Sequence, residues 1–106
     1  MNNLDISIVI PLYNERDSIE ELVKWIYSVL DKEYEFEIIF IDDGSTDDSW
    51  SIINSCFENF NKIKAIKFRR NYGKSAALNT GFKSAKGKVV ITMDADLQDS
   101  PEEIPS

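Results

Sequence analysis

The sequence predicts a Rossmann-like, doubly wound α/β domain with a mainly parallel sheet, and three observations lead there. Short β-branched runs alternate with amphipathic stretches in the order β-α-β-α-β-α-β. The runs are apolar nearly throughout, as strands covered on both faces require. Right-handed crossovers between parallel strands then place helices on both sides of the sheet.

The elements follow in order. Ile6 to Leu12 (ISIVIPL) reads as the first strand. Ile19, Leu22, Val23, Ile26, Val29 and Leu30 recur at helical spacing, and Ser18 with Glu21 forms a capping box at the start of that helix. Phe36 to Ile41 (FEIIFI) is the second strand. A second helix begins near Thr46, with Asp47 and Asp48 at the positive end of its dipole, and buries Trp50, Ile53, Phe57 and Phe60. Ile63 to Phe68 (IKAIKF) carries two lysines and is a weaker strand, nearer an edge. A third helix, near Ser75 to Ala85, packs Ala77, Leu78, Gly81 and Phe82 closely. Gly87 then turns the chain into Lys88 to Met93 (KVVITM), a last strand covered on both faces.

Size and composition narrow the function. The 106 residues suit one domain with one core. Nineteen acidic against 12 basic residues give a formal charge of −7. That field repels phosphate backbones, so nucleic acid is not an expected partner. One cysteine, Cys56, excludes an internal disulfide, and the lack of histidine removes Ser-His-Asp triads, Cys-His dyads and ordinary zinc sites. Carboxylates, lysine, hydroxyls or a hard metal ion are left to do any chemistry. The N-terminus, MNNLDISIVIPLYNE, lacks the basic start and small-residue cleavage site of a signal peptide, and no apolar run approaches the ~20 residues of a membrane span. A cytoplasmic location is the expectation.

In doubly wound sheets ligands bind outside the carboxyl ends of the strands, and those ends lead into PLYNE, DDGSTD, RRNYGK and DADLQD. Taken singly, most of these have a plain structural reading. Asp42-Asp43-Gly44-Ser45 makes a turn into a helix, PLYNE ends a strand, and Arg69 with Arg70 is a solvated charge pair. Asp94 and Asp96 resist that treatment. Residues i and i+2 of an extended segment point the same way, so the two carboxylates converge and repel unless a cation joins them. Oxygen ligands without histidine or cysteine select Mg²⁺ or Mn²⁺, which commonly shares its shell with substrate phosphates. On one rim the loops are complementary: carboxylates for a metal, Arg70 and Lys74 for phosphate charge, Asp42 and Asp43 for donors on a base or ribose, Tyr13 for stacking. A metal-bridged nucleoside diphosphate fits them together.

The set IPLYNE, IDDGSTDDS, RRNYGKSAALNTG and MDADLQDSPE, in that order, resembles the nucleotide-binding half of family 2 glycosyltransferases with the GT-A fold. Within them it looks most like the polyprenyl-phosphate glycosyltransferases of the bactoprenol glucosyltransferase and dolichol-phosphate mannosyltransferase type. The resemblance covers nearly the whole chain. It implies that Pro11, Tyr13 and Glu15 line the nucleotide, that Asp42 and Asp43 read base and ribose, and that Arg70 and Lys74 lie near base and diphosphate. Asp94 and Asp96 match the DxD motif, with Asp94 serving nucleotide and metal and Asp96 as direct metal ligand; Gln98 matches a position that can approach the metal.

The implied reaction is inverting, metal-dependent transfer of a sugar from a UDP-sugar, or alternatively a GDP-sugar, to a polyprenyl-phosphate or glycan acceptor. The same resemblance implies that the chain is a fragment. The acceptor site, any catalytic base and the membrane-contacting C-terminal helices would lie in a later segment, placing the whole protein at the cytoplasmic membrane face. Alone, the fragment is expected to bind nucleotide weakly without turnover, and its incomplete sheet would invite self-association.

Three rivals stand beside this reading. Gly73-Lys74-Ser75 mimics a Walker A element, but that pattern needs a glycine at position 68, which is Phe68. A signalling receiver domain would carry its paired aspartates after the first strand, where PLYNE stands. A non-catalytic nucleotide-binding or regulatory module with the same fold is the third.

Overall fold

A computed structural model describes residues 4–95. Four strands and three helices alternate: β1 (Ile6–Leu12), α1 (Ile19–Leu30), β2 (Phe36–Asp42), α2 (Ser49–Asn59), β3 (Ile63–Lys67), α3 (Lys74–Ser84) and β4 (Val89–Thr92). The strands pair in parallel in the order β3-β2-β1-β4. The chain thus steps outward from β1 to β3 and then crosses back to β4, so its switch point lies between β1 and β4.

Alternation along the two central strands divides the core. Ile6, Ile8, Ile10 and Leu12, with Ile38 and Phe40, face α1 and α2, where Leu22, Ile26, Leu30 and Ile53 are buried. Val9, Ile39 and Ile41 face α3 through Ala77. That helix lies very close to the sheet: a Cβ on Gly81 would come within 2.3 Å of Val9 Cγ1. Residues of β1 and β2 are buried throughout, as their apolar runs require.

Several expectations need correction. β4 is an edge strand whose Val89 and Val90 are exposed, because neither helical layer among the described residues reaches over it. Phe57 and Phe82 are also exposed, on helices whose buried faces are narrow: Ser49, Ile53 and Cys56 on α2, Ala77 and Gly81 on α3. Leu78, Trp50 and Phe60 are half-buried. α2 starts at Ser49 rather than near Thr46 because the amides of Thr46 and Asp47 donate to Asn14 Oδ1, at 2.8 and 3.2 Å. The capping box does not form: Ser18 is the N-cap of α1, yet its side chain makes no capping hydrogen bond.

At the amino ends of the strands, Ser7 and Glu37 are opposite one another in register and both buried. Ser7 Oγ donates to Glu37 Oε2 at 2.5 Å, the Lys86 amide donates to the same oxygen at 2.7 Å, and Lys64 Nζ stands 2.6 Å from Oε1. Burial alone would raise the Glu37 pKa, but the hydrogen bonds from Lys64, Ser7 and Lys86 outweigh it and hold the carboxyl below its ordinary value. No helix among the described residues is long and apolar enough to cross a membrane.

Candidate functional site

The four loops that follow the strands meet at the opposite, carboxyl end. They enclose an open cleft of about 380 Å³ lined by Pro11, Leu12, Tyr13, Glu15, Asp43, Lys74, Asp94 and Ala95. Six of the residues singled out in the sequence thus share one cleft. Lys74 opens α3, and its ammonium lies 2.9 Å from Asp94 Oδ1. A cationic and an anionic group therefore stand side by side in its lining.

Backbone contacts explain how the loops hold together. Asn14 adopts a left-handed conformation, φ 54°, which asparagine tolerates better than most residues. Its amide donates to Ser45 Oγ at 2.8 Å while its Oδ1 accepts from Thr46 and Asp47, so the loop after β1 is bound to the loop after β2. Asp47 is held below the ordinary carboxylate range: slight burial pushes it up, but hydrogen bonds from Ser49 and Arg16 pull it further down. Asp43, buried at 4% exposure, accepts from the Tyr72 and Gly73 amides at 2.7 and 3.0 Å and so grips the loop before α3. Gly44, at φ 77°, lies under that loop, where a Cβ would come within 2.3 Å of the Arg70 carbonyl carbon. No side chain could stand there without moving the loop.

Two predicted residues lie off the cleft lining. Asp42 is fully buried behind it; its Oδ1 accepts from the Ser45 amide at 2.8 Å, and its Oδ2 has no hydrogen-bond partner among the described residues. Arg70 is exposed and stacks over Tyr72, its guanidinium carbon 4.9 Å from the ring centroid, while Tyr72 meets Phe68 edge-on. Asp96 and Gln98 lie outside the described residues.

Sequence reasoning passed over two organising residues. Asn14 had one usable signal, an asparagine directly after a strand, where a left-handed turn is wanted. Ser18 was read as a local cap, although its hydroxyl in fact approaches the Ala95 carbonyl at 2.5 Å.

The cleft suits a hard cation. Its anionic donors are all carboxylate oxygens, from Glu15, Asp43 and Asp94, and Asp94 already attracts an ammonium. Among the described residues no group of three such side chains is gathered closely enough to hold an ion by itself.

Comparison with known proteins gives the chain its relatives. The chain is 47% identical over 102 residues to an undecaprenyl-phosphate 4-deoxy-4-formamido-L-arabinose transferase of Pseudomonas syringae, a match covering 94% of this chain and 30% of that protein. A transferase of the same description from Aeromonas hydrophila is 46% identical, the match covering 99% of this chain and 34% of the relative. The chain thus spans about a third of the length of these relatives. Among solved structures, the mannosyltransferase PcManGT of Pyrobaculum calidifontis, in complex with GDP-Man and Mn²⁺, superposes with a TM-score of 0.78 at 29% identity, covering 91% of this chain and 28% of that one. S. aureus TarS 1-349 in complex with UDP gives 0.80 at 27% identity, covering 96% and 30%. The expected α/β fold of the GT-A type is therefore present. The model of glycosyl transferase family 2 matches residues 7–106, and the chain belongs to that family.

Proposed function

We propose that the protein transfers a sugar from a nucleoside diphosphate sugar to a polyprenyl phosphate, and that this chain supplies the donor site. The observation that carries the reading is the cleft itself, in which Lys74 and Asp94 stand 2.9 Å apart between loops rich in carboxylate and aromatic groups. The relatives act on undecaprenyl phosphate by name, and the similar structures hold GDP-Man with Mn²⁺ or UDP.

In this reading Tyr13 stacks on the base, and Pro11 and Glu15 shape the wall beside it. Asp43 stands at the base and ribose with Asp42 buried behind it, and Arg70 supplies positive charge at the rim. Lys74 turns from Asp94 to the diphosphate. Asp94, Asp96 and Gln98 would hold Mg²⁺ or Mn²⁺, which supplies charge neutralisation for the departing nucleoside diphosphate. The acceptor phosphate is already ionised, so one displacement at the anomeric carbon, with inversion, needs no strong general base. A UDP-sugar donor is favoured by the bactoprenol-type likeness, with a GDP-sugar as the competitor.

Calorimetric titration of the chain with UDP and with GDP, each with Mn²⁺ and with EDTA, tests the reading. Metal-dependent binding of one nucleotide, lost in Asp96→Ala, is the expected result. A folded chain with no affinity for either nucleotide would count against a donor site here.

A further inference from the structure

Ser18 departs from its local role in a way that points to the acidic motif. A serine at the N-cap ordinarily spends its hydroxyl on an amide of the first helical turn, and Glu21 stands at the right spacing to complete a capping box. The Ser18 side chain makes no such capping bond, and the Ser18 amide donates to Glu15 O. Its Oγ instead lies 2.5 Å from the carbonyl oxygen of Ala95, 77 residues away in sequence, with Glu15 O and Glu15 Oε2 at the longer distances of 3.2 and 3.3 Å. A hydroxyl carries one proton, and the shortest contact claims it. Ala95 is buried at 3% exposure and is the residue that separates Asp94 from Asp96.

We propose that Ser18 is a positioning residue for Asp94, using the start of α1 as a fixed post for the backbone at Ala95, directly after that carboxylate. β4 ends at Thr92 and the Met93 amide still donates to Val9 O, so Ala95 lies two residues past that bond to the sheet. α1 is well placed to supply what the ladder does not, since Ile19, Leu22, Val23 and Ile26 are fully buried. Holding the Ala95 carbonyl restrains the backbone one residue after Asp94, and with it the direction in which the Asp94 side chain leaves the chain. The local cap is given up for a bond at the cleft, a conflict between local and global preference of the kind found at functional sites. This inference rests on the reading of Asp94 and Asp96 as a metal-holding pair.

Three variants separate the tether from a cap. Ser18→Ala removes the hydroxyl, Ser18→Thr retains it, and Glu21→Gln disturbs only the capping box. Two measurements are needed: hydrogen exchange across Met93–Ala95 without ligand, and Mn²⁺ affinity in the presence of UDP or GDP, read from the electron paramagnetic resonance signal of the free ion. Ser18→Ala should speed the exchange and weaken Mn²⁺ about tenfold, the low end of losses seen when an outer-shell partner of a metal ligand is removed. Ser18→Thr should restore both, and Glu21→Gln should change neither. Unchanged exchange and affinity in Ser18→Ala would overturn the proposal, as would equal losses in Glu21→Gln. If the unaltered chain takes up no Mn²⁺ with either nucleotide, the metal-holding reading fails, and unchanged exchange would then remove the tether as well.

Discussion

The two ends of β2 each carry a buried acid, and both acids hold an end of α3. Glu37, at the amino end, accepts from the Lys86 amide just after the helix; Asp43, beyond the carboxyl end, accepts from the Tyr72 and Gly73 amides just before it. They differ in what else surrounds them. Glu37 is neutralised by Lys64 and hydrogen-bonded by Ser7, whereas Asp43 has no ion-pair partner among the described residues and borders the cleft. One device thus serves two ends: sealed by a cation at the amino end, left without one at the cleft.

The largest effect should come from breaking the sealed end. Glu37→Ala removes the acceptor of the Ser7 hydroxyl and the shorter of two hydrogen bonds from the Lys86 amide, and the loss of charge-assisted hydrogen bonds is expected to cost about 2–3 kcal/mol, the lower range because Lys64 is 44% exposed and partly screened. Urea denaturation measures it. A cost below about 0.5 kcal/mol would mean that the amino end does not anchor α3, since that is the scale of an ordinary surface substitution.

The same acid predicts a pH dependence. Its folded pKa is lowered, so its stabilisation is fully present above the ordinary value of 4.5 and is lost as pH falls through the lowered folded value. The stability gap between the unaltered chain and Glu37→Gln should therefore be widest near neutrality and close under acid. A gap that stays constant down to low pH would show that Glu37 titrates as it does unfolded.

Asp43→Asn should invert the pattern. The amide keeps one acceptor oxygen but presents an NH₂ to the second backbone donor, costing about 1 kcal/mol of stability. Its larger effect is expected on nucleotide affinity, because the loop it grips leads into Lys74 in the cleft. Calorimetry on the variant should find binding weakened about tenfold, equivalent to ~1.4 kcal/mol. A variant that lost stability without losing affinity would make Asp43 a second Glu37.

How much of this was legible in the sequence follows from what each feature depends on. β1, β2 and α1 came out at nearly their true bounds because β-branched runs and a helical stripe are local signals, and these elements are buried whatever surrounds them. The exposure of Phe57, Phe82 and β4 depends on which neighbours cover them, which periodicity does not report. Most of the cleft lining was legible because the topology collects strand ends on one rim. The burial of Asp42, the left-handed clamp at Asn14 and the diversion of the Ser18 hydroxyl depend on contacts across 31 to 77 residues of chain.

The smallest stability effect belongs to the exposed pair in the cleft, and it sharpens the comparison most. Lys74 and Asp94 are 64% and 46% exposed, so their attraction is screened by water and salt and should contribute no more than about 0.5 kcal/mol to folding. Lys74→Met retains most of the aliphatic length and removes the charge, so its melting temperature should stay close to that of the unaltered chain. If Lys74 meets a diphosphate, nucleotide affinity should nonetheless fall, and the dependence of affinity on ionic strength should flatten as one phosphate contact disappears. A variant with unchanged affinity and an unchanged salt slope would make the pair a solvated surface contact, and the difference between the two ends of β2 would then have to be carried by Asp43 alone.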